Sequence, residues 1–333
     1  MNYLKNKRIL VTGGTGSFGS NFVKEIIKKK YGVKRIIVFS RDELKQYELQ
    51  KKINTKSNIL RFFLGDVRDK PRLVYAFKDV DVVIHAAALK QVPAAEYNPL
   101  EFVKTNVIGS QNVIEACIDS NVKKVIALST DKAVSPLNLY GATKLCADKL
   151  FVSANNIIGN QDISFGVVRY GNVLGSRGSI LNEFAKQNKN KQNFLITDMK
   201  MTRFNILMSE AIDLVLWSIQ NLKGGEIVIP KLKSFWIKDL ALAINNKAKF
   251  KIIGKRPGEK IHEELMSISD SQNVYQLKDK YLLISNQLLK NNYKNTTLKK
   301  LNKNFSYNSL ENNFLTVKDL KNLIKKNFSN LVN

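Results

Sequence analysis

Arg8-Ile-Leu-Val-Thr-Gly-Gly-Thr-Gly-Ser-Phe-Gly19 is the stretch whose reading decides the fold. Arg8 to Thr12 reads as a short buried strand. Gly13, Gly16 and Gly19 then have the spacing of a GxxGxxG turn, and helical spacing runs from about Phe18 to Lys30. Glycines without side chains let a backbone approach a pyrophosphate, and the free N–H groups of a helix start favour its charge. Such a turn also occurs without nucleotides. Its setting between strand and helix points to a dinucleotide, with contacts expected from Gly13, Thr15, Gly16, Ser17, Phe18 and Gly19.

Further strands are expected at Lys34 to Ser40, Asn58 to Leu64, Asp81 to His85, Lys123 to Ser129 and Ile163 to Arg169, with helical apolar spacing between them. Repeated strand–helix units predict an α/β fold with a Rossmann-like, doubly wound parallel sheet. Pro99 is expected near a helix start and Pro136 in a loop. Residues 1–170 are expected to form an NADP-binding domain. Residues 171–333 are expected to be mainly a smaller C-terminal substrate-binding lobe, partly woven back onto the sheet. Its clearest helices are Ser209 to Leu222 and Ile237 to Asn245. The Asn- and Lys-rich stretch from Leu289 to Asn304 reads as an exposed connection.

The 333 residues are 44% hydrophobic and 25% charged, ordinary for a soluble globular protein, and no apolar run reaches the roughly 20 residues of a membrane span. The formal net charge of +26 raises the question of a nucleic-acid or membrane partner. The lysines form no single stripe and no aromatic-rich nucleic-acid motif accompanies them. They are read as solvated-face charge, some of which draws in an anionic substrate, with neither nucleic acid nor membrane as partner. The segment before the first strand has no signal-peptide pattern. Cys117 and Cys146 read as isolated reduced thiols of a cytoplasmic protein. With no CxxC or HExxH, no metal site is expected.

The second strand ends in Phe39-Ser-Arg-Asp42. An acid at this tip ordinarily bonds the ribose 2′-hydroxyl of NAD. Here Ser40 and Arg41 stand there instead, and Arg suits a 2′-phosphate, so NADP is expected. The alternative is that Arg41 only pairs with a nearby acid. Asp66, in Gly65-Asp-Val67, is placed to bond an adenine amino group or to cap a turn. Val67 and Ala86, at the ends of their strands, complete the expected cofactor contacts. His85 is read as structural.

Two segments carry the chemistry: Ser129-Thr-Asp-Lys132 and Tyr140-Gly-Ala-Thr-Lys144. A Tyr and a Lys four apart on a helix share a face, so an ammonium supports a phenolate and holds a cofactor ribose. Asp131 and Lys132 add an acid and a base of another kind. One pair suits redox chemistry and the other elimination. The competing readings are an ordinary Asp–Lys surface pair and, for Thr130, a satisfied strand-end hydroxyl.

These segments are joined by Phe62-Phe-Leu-Gly-Asp-Val-Arg-Asp69, Ala86-Ala-Ala-Leu-Lys90, Val168-Arg-Tyr-Gly-Asn-Val173, Gly175-Ser-Arg-Gly-Ser179, Met201-Thr-Arg-Phe204 and Arg256-Pro-Gly-Glu-Lys-Ile-His-Glu263. Together they resemble the extended short-chain dehydrogenase/reductase family over nearly the whole chain to about residue 265. Within it they are most similar to the inverting UDP-N-acetylglucosamine 4,6-dehydratases of pseudaminic acid biosynthesis.

The resemblance implies an NADP-dependent hydro-lyase acting on UDP-N-acetylglucosamine to give a 2-acetamido-2,6-dideoxy-β-L-arabino-hex-4-ulose. It implies that Tyr140, with its pKa lowered by Lys144 and the cofactor charge, takes the 4-hydroxyl proton while Thr130 bonds the 4-oxygen. Asp131 then protonates the departing 6-hydroxyl. Lys132, with a pKa below the usual lysine range and titrating jointly with Asp131, removes the C5 proton. Arg177 and Arg256 are the expected diphosphate clamps, with Gly178 and Ser179 beside Arg177. Asn172 and Glu259 are expected on substrate hydroxyls or diphosphate-sugar, and Lys90 on both cofactor and sugar. Arg203 serves either the substrate or the lobe's own structure. A homo-oligomer is implied by resemblance only. Gln91 departs from a histidine frequent in the family. The competing functions are the dehydratase/epimerase of N-acetyl-L-fucosamine synthesis, a UDP-sugar 4-epimerase, and, in a different class, a non-catalytic NADP-binding regulator.

Overall fold

The computed structural model describes residues 2–53, 58–284, 293, 298–302 and 304–332. The first half alternates as the sequence predicts. Strands β1 (Arg8–Thr12), β2 (Arg35–Ser40), β3 (Leu60–Leu64), β4 (Val82–His85), β5 (Lys124–Thr130) and β6 (Ser164–Tyr170) are interleaved with helices. These are α1 (Ser17–Lys28), α2 (Glu43–Ile53), α3 (Lys70–Phe77), α4 (Val92–Tyr97), α5 (Pro99–Phe102), α6 (Gly109–Asp119) and α7 (Leu139–Ser153). The six strands pair in parallel in the order β3-β2-β1-β4-β5-β6. Their Val, Ile and Leu runs are buried on both faces, because helices cover both sides of such a sheet. Chain order reverses between β1 and β4, and at that switch point a crevice opens beyond the strands' carboxyl ends.

The second half contributes β7 (Phe194–Ile196), β8 (Thr202–Asn205), β9 (Glu226–Pro230), β10 (Lys233–Trp236), β11 (Phe250–Ile252), β12 (Glu264–Met266), β13 (Val274–Leu277) and β14 (Lys280–Ile284), with β15 (Lys299–Lys300) and β16 (Tyr307–Asn308) after them. Strand β9 lies parallel to β6, and β14, β13 and β15 continue the sheet antiparallel to ten strands. The pairs β7–β11, β8–β10 and β12–β16 stand apart from it. Helices α8 (Ile180–Lys189), α9 (Met208–Asn221) and α10 (Ile237–Ile244) follow in chain order, with Val317–Asn327 near the C-terminus. Leu181, Phe184, Phe194, Phe235, Leu240, Leu320 and Ile324 form a third core that belongs to these later elements. Much of Leu289 to Asn304 lies outside the described residues. Within it Tyr293 is buried, its hydroxyl donating to the buried Glu226, and β15 is an edge strand, so this stretch is more than an exposed connection. No helix among the described residues is long and apolar enough to cross a membrane.

Candidate active site

The glycine turn sits at the switch point as expected. Gly13 has φ +64, and a Cβ there would stand 2.8 Å from the backbone of Ala87. Only glycine lets β1's turn lie this close to the strand-end segment Ala86-Ala-Ala88. Thr12 Oγ1 and His85 Nδ1 lie 2.8 Å apart below it, and His85 Nε2 meets Ser110 Oγ at 3.3 Å. Burial first, and Lys144 second, push His85 down to about 3, so it is a neutral structural ring.

Three clefts follow one another across this face. The first, about 850 Å³, is lined by Gly13, Thr15, Gly16, Ser40, Arg41, Asp66, Val67 and Ala86. The second, about 1530 Å³, shares Gly13, Gly16 and Ala86 with it and reaches Ser17, Phe18, Gly19, Lys90, Thr130, Lys132, Tyr140 and Lys144. The third, about 1080 Å³, shares Lys132 and Asn172 with the second and is lined further by Arg203, Arg256, Glu259 and Glu263. Shared lining residues join the three spaces into one chain along this face, and the glycine turn between the first two has the form of a dinucleotide cradle. The glycine cradle and small Ala86–Ala88 segment fit the pyrophosphate of such a dinucleotide.

At the adenosine end, Arg41 Nη1 approaches Asp66 Oδ2 at 3.5 Å, a long contact with a half-exposed guanidinium. Asp66 is held mainly by its own turn: Arg68 donates its backbone N–H to Oδ1 and its side chain to Oδ2 at 2.7 Å. Its carboxyl lies below the usual range, since these bonds to Arg68 outweigh the desolvation that acts against them. The Ser40 hydroxyl is engaged by Gln46 Nε2 at 3.0 Å. The structure moves one residue from where the sequence reading had it. Arg177 lines the first two clefts with Ser40 and Arg41, not the third with Arg256, and its backbone N–H meets Ser17 Oγ at 3.4 Å. Gly178 and Ser179 go with it, lining the second cleft. The loop after β6 thus starts at the third cleft with Asn172 and, from Ser176 to Ser179, folds back beside the glycine turn.

At the centre, the two chemical motifs are pressed together. Asn138 caps α7, its Oδ1 accepting from Gly141 N at 2.8 Å. A Cβ on Gly141 would stand 2.2 Å from the carbonyl oxygen of Lys132, so the short turn Asp131–Ala133 packs directly on the helix start. Lys144 Nζ donates to the Leu128 carbonyl at 2.7 Å. Below them Asp148 Oδ2 accepts from Ser129 Oγ at 2.7 Å and from Arg169 at 3.1 Å, a buried pair locking α7 to β5 and β6.

The ionisation of this centre departs from expectation in two places. Tyr140 is pushed up to about 12, mainly by burial, with Lys132 and the Thr130 hydrogen bond acting in the opposite direction. In the protein alone it is a neutral phenol, and Lys144, bonded to Leu128, is not what opposes that. Burial by itself would lower Lys132, but Asp131 and Glu263 outweigh burial and hold it above the usual lysine range. Lys132 is thus an ammonium at rest. Asp131 behaves as expected of an acid. It is fully buried, its pKa is raised by desolvation first and by Glu263, and its Oδ2 has no hydrogen-bond partner among the described residues. Its Oδ1 accepts from Thr130 Oγ1 at 2.8 Å and from Lys132 Nζ at 3.0 Å.

The sequence reading missed Glu263. It lies in the quoted Arg256–Glu263 segment, but nothing in that run of charges singled it out. It is buried, with Oε1 3.4 Å from Lys132 Nζ and 3.7 Å from Arg203 Nε. Arg203 also donates to the carbonyls of Thr202 and Ile261 at 2.8 and 3.0 Å, so it holds this loop in place while facing the cleft. Glu259 Oε2 accepts from the Arg256 backbone at 3.3 Å.

The model of a family described as polysaccharide biosynthesis protein matches residues 9–285. The chain belongs to this family. It is 53% identical over 278 residues to the UDP-N-acetylglucosamine 4,6-dehydratase (inverting) of Campylobacter jejuni, covering 83% of this chain and 82% of that protein. It is 41% identical over 284 residues to the UDP-glucose 4-epimerase of Rickettsia bellii, again 83% of this chain and 82% of the relative. Among solved structures, Pen from Bacillus thuringiensis superposes with a TM-score of 0.90 at 36% identity, covering 99% of this chain and 100% of that one. The family thus includes dehydratases and epimerases of nucleotide-sugars on this extended short-chain dehydrogenase/reductase fold.

Proposed function

We propose that the protein is an inverting UDP-N-acetylglucosamine 4,6-dehydratase that uses NADP. The observation that carries this reading is the Asp131–Lys132 pair beside Tyr140, at the junction of the second and third clefts. An epimerase needs Tyr140 but has no task for a buried acid at C6 and a lysine at C5. The similarity to the Campylobacter jejuni dehydratase supports the same choice. The half-exposed guanidinium of Arg41, which with Ser40 precedes Asp42 at the tip of β2, supports NADP over NAD.

Bound along the first two clefts, a nicotinamide dinucleotide supplies the hydride acceptor for C4 and the donor for C6. The chain's own residues move protons. Tyr140 takes the proton of the 4-hydroxyl, which requires added positive charge nearby because its phenol starts near 12. Thr130 steadies the 4-oxygen. The 4-keto group acidifies C5–H. Passage of the Lys132 ammonium proton to Asp131, along the hydrogen bond between them, leaves a neutral amine that removes the C5 proton and an acid that protonates the departing 6-hydroxyl, which leaves as water. Reprotonation at C5 from the opposite face inverts that centre. Arg256, Asn172 and Glu259 hold the diphosphate-sugar, Lys90 reaches both ligands, and Arg177 serves the cofactor side. The reading includes the first step of pseudaminic acid biosynthesis, a homo-oligomeric assembly and a cytoplasmic setting. The unpaired Cys117 and Cys146 support the last of these.

The test is incubation with UDP-N-acetylglucosamine in deuterium oxide and NMR of the early product. The expected product is a 4-keto-6-deoxy sugar of L-arabino configuration, with solvent deuterium at C5 and the hydrogen from C4 undiluted at C6. A product still carrying its 6-hydroxyl and changed only at C4 would make the protein an epimerase.

A further inference from the structure

Lys132 stands at the junction of two clefts with its Nζ in a cage of three oxygens. Asp131 Oδ1 and Asn172 Oδ1 lie 3.0 Å away and Glu263 Oε1 3.4 Å. Two of the three arise close to the catalytic strands β5 and β6. Glu263 does not. It comes from the loop before β12, across the third cleft, and it is buried, 2% exposed. Its other oxygen, Oε2, has no hydrogen-bond partner among the described residues. A buried carboxylate with one oxygen left bare is costly unless a charge nearby compensates it, and the compensating charges here are Lys132 and Arg203.

We propose that Glu263 is a positioning residue for the elimination, aiming the Lys132 amine at C5 and setting the pH range in which that amine works as a base. The proposal rests on the reading of Lys132 as the C5 base. The charged and titratable groups that face Lys132 are Asp131 from its own turn, Tyr140 from α7, Lys90 from the segment after β4, Arg203 from β8 and Glu263 from the loop before β12. Asp131 and Glu263 favour the ammonium and Arg203 disfavours it. Asp131 is needed as the acid, so Glu263 is the group free to tune the lysine. An opposite charge at this distance moves a pKa by about one to three units. A resting ammonium held by two carboxylates keeps the site from acting as a base before a sugar has entered. The base must be freed when the substrate's 4-keto group and added cationic charge arrive.

The experiment is the pH profile of dehydration, measured with substrate deuterated at C5 alongside unlabelled substrate so that the C5 step is the one observed. In Glu263→Gln the acid limb should move about one to three pH units toward acid, with Glu263→Asp returning most of the way. Arg203→Gln should move the same limb toward alkali, since it removes a cation that favours the neutral amine. A general loosening of the loop lowers the rate at every pH and does not shift two variants in opposite directions. If Glu263→Gln does not fold, the direction of the Arg203→Gln shift decides. An unmoved limb in Glu263→Gln, or an acidward limb in Arg203→Gln, overturns the proposal. Lys132→Ala separates the two readings. Normal dehydration in that variant refutes Lys132 as base, whereas a stalled Lys132→Ala with an unshifted Glu263→Gln refutes only the role of Glu263.

Discussion

Replacing Gly141 by Ala tests whether the contact between the two catalytic motifs sets the geometry of the reaction. The added Cβ would start 2.2 Å from the Lys132 carbonyl oxygen and 3.0 Å from Pro136 Cβ. Carbon and oxygen need more than 3 Å between them, so the Asp131–Ala133 turn and the start of α7 must part by about 1 Å. Tyr140 sits on one side of that gap and the Asp131–Lys132 pair on the other. A misplacement of this size costs on the order of 10² in rate, equivalent to about 2.7 kcal/mol of barrier. The helix itself should not suffer, because Ala is a better helix former than Gly by up to about 1 kcal/mol. The assay is steady-state dehydration of UDP-N-acetylglucosamine together with NADP affinity by fluorescence titration. Turnover should fall by about two orders of magnitude and NADP affinity far less, since the Gly13 turn does not lie on the displaced helix. Turnover close to that of the parent, a barrier change under about 1 kcal/mol, would refute the reasoning.

Arg41→Ala should erase most of a preference for NADP over NAD, read from the two dissociation constants; equal binding of both cofactors by the parent would sink the assignment. Tyr140→Phe should abolish oxidation at C4, so no reduced nicotinamide absorbance should build up on adding substrate, and a normal absorbance rise would exclude Tyr140 as the proton acceptor. Asp148→Ala leaves the buried Arg169 guanidinium without its carboxylate. It should destabilise the fold by about 3–5 kcal/mol in urea unfolding. A loss below about 1 kcal/mol would mean that the Arg169 contacts with Leu265 and Asp270 suffice.

The parallel half of the sheet was legible because its strands are buried on both faces and read as unbroken apolar runs, while each glycine or small-residue segment falls at a strand's carboxyl end. The antiparallel extension was less so. Val274–Leu277 is short and carries the half-buried Gln276, and Lys280–Ile284 is an apolar run too brief for periodicity to tell strand from helix. The π-helical turn Val103–Ile108 left no trace in the residues, since a shift from i+4 to i+5 bonding changes no periodicity over so short a span. Among site residues, those carried by local motifs stand where they were expected. The position of Arg177 beside Ser17 was not legible, because the path of its loop depends on packing far along the chain. Glu263 was missed because its meaning comes from Lys132, 131 positions away, and no spacing rule reports such a pairing. The charge states of Tyr140 and Lys132 were misjudged for a related reason. Burial sets the state of Tyr140, whereas at Lys132 Asp131 and Glu263 outweigh burial, an effect visible only when the loop before β12 is seen against β5.

Asn138 binds in two directions, its Oδ1 to the α7 backbone at Gly141 and its Nδ2 to the carbonyl of Gly258 at 2.8 Å. One side chain thereby fastens the Arg256–Glu259 loop to the helix that carries Tyr140. In a family whose members act on different nucleotide-sugars, that makes the loop a poor candidate for independent exchange. Transplanting residues 256–260 from a relative would carry over the sugar contacts but would also reset the entry of the catalytic helix. Swapped loops should regain activity when residue 138 and its neighbours travel with them, so the inherited unit of specificity here is a joint and not a segment.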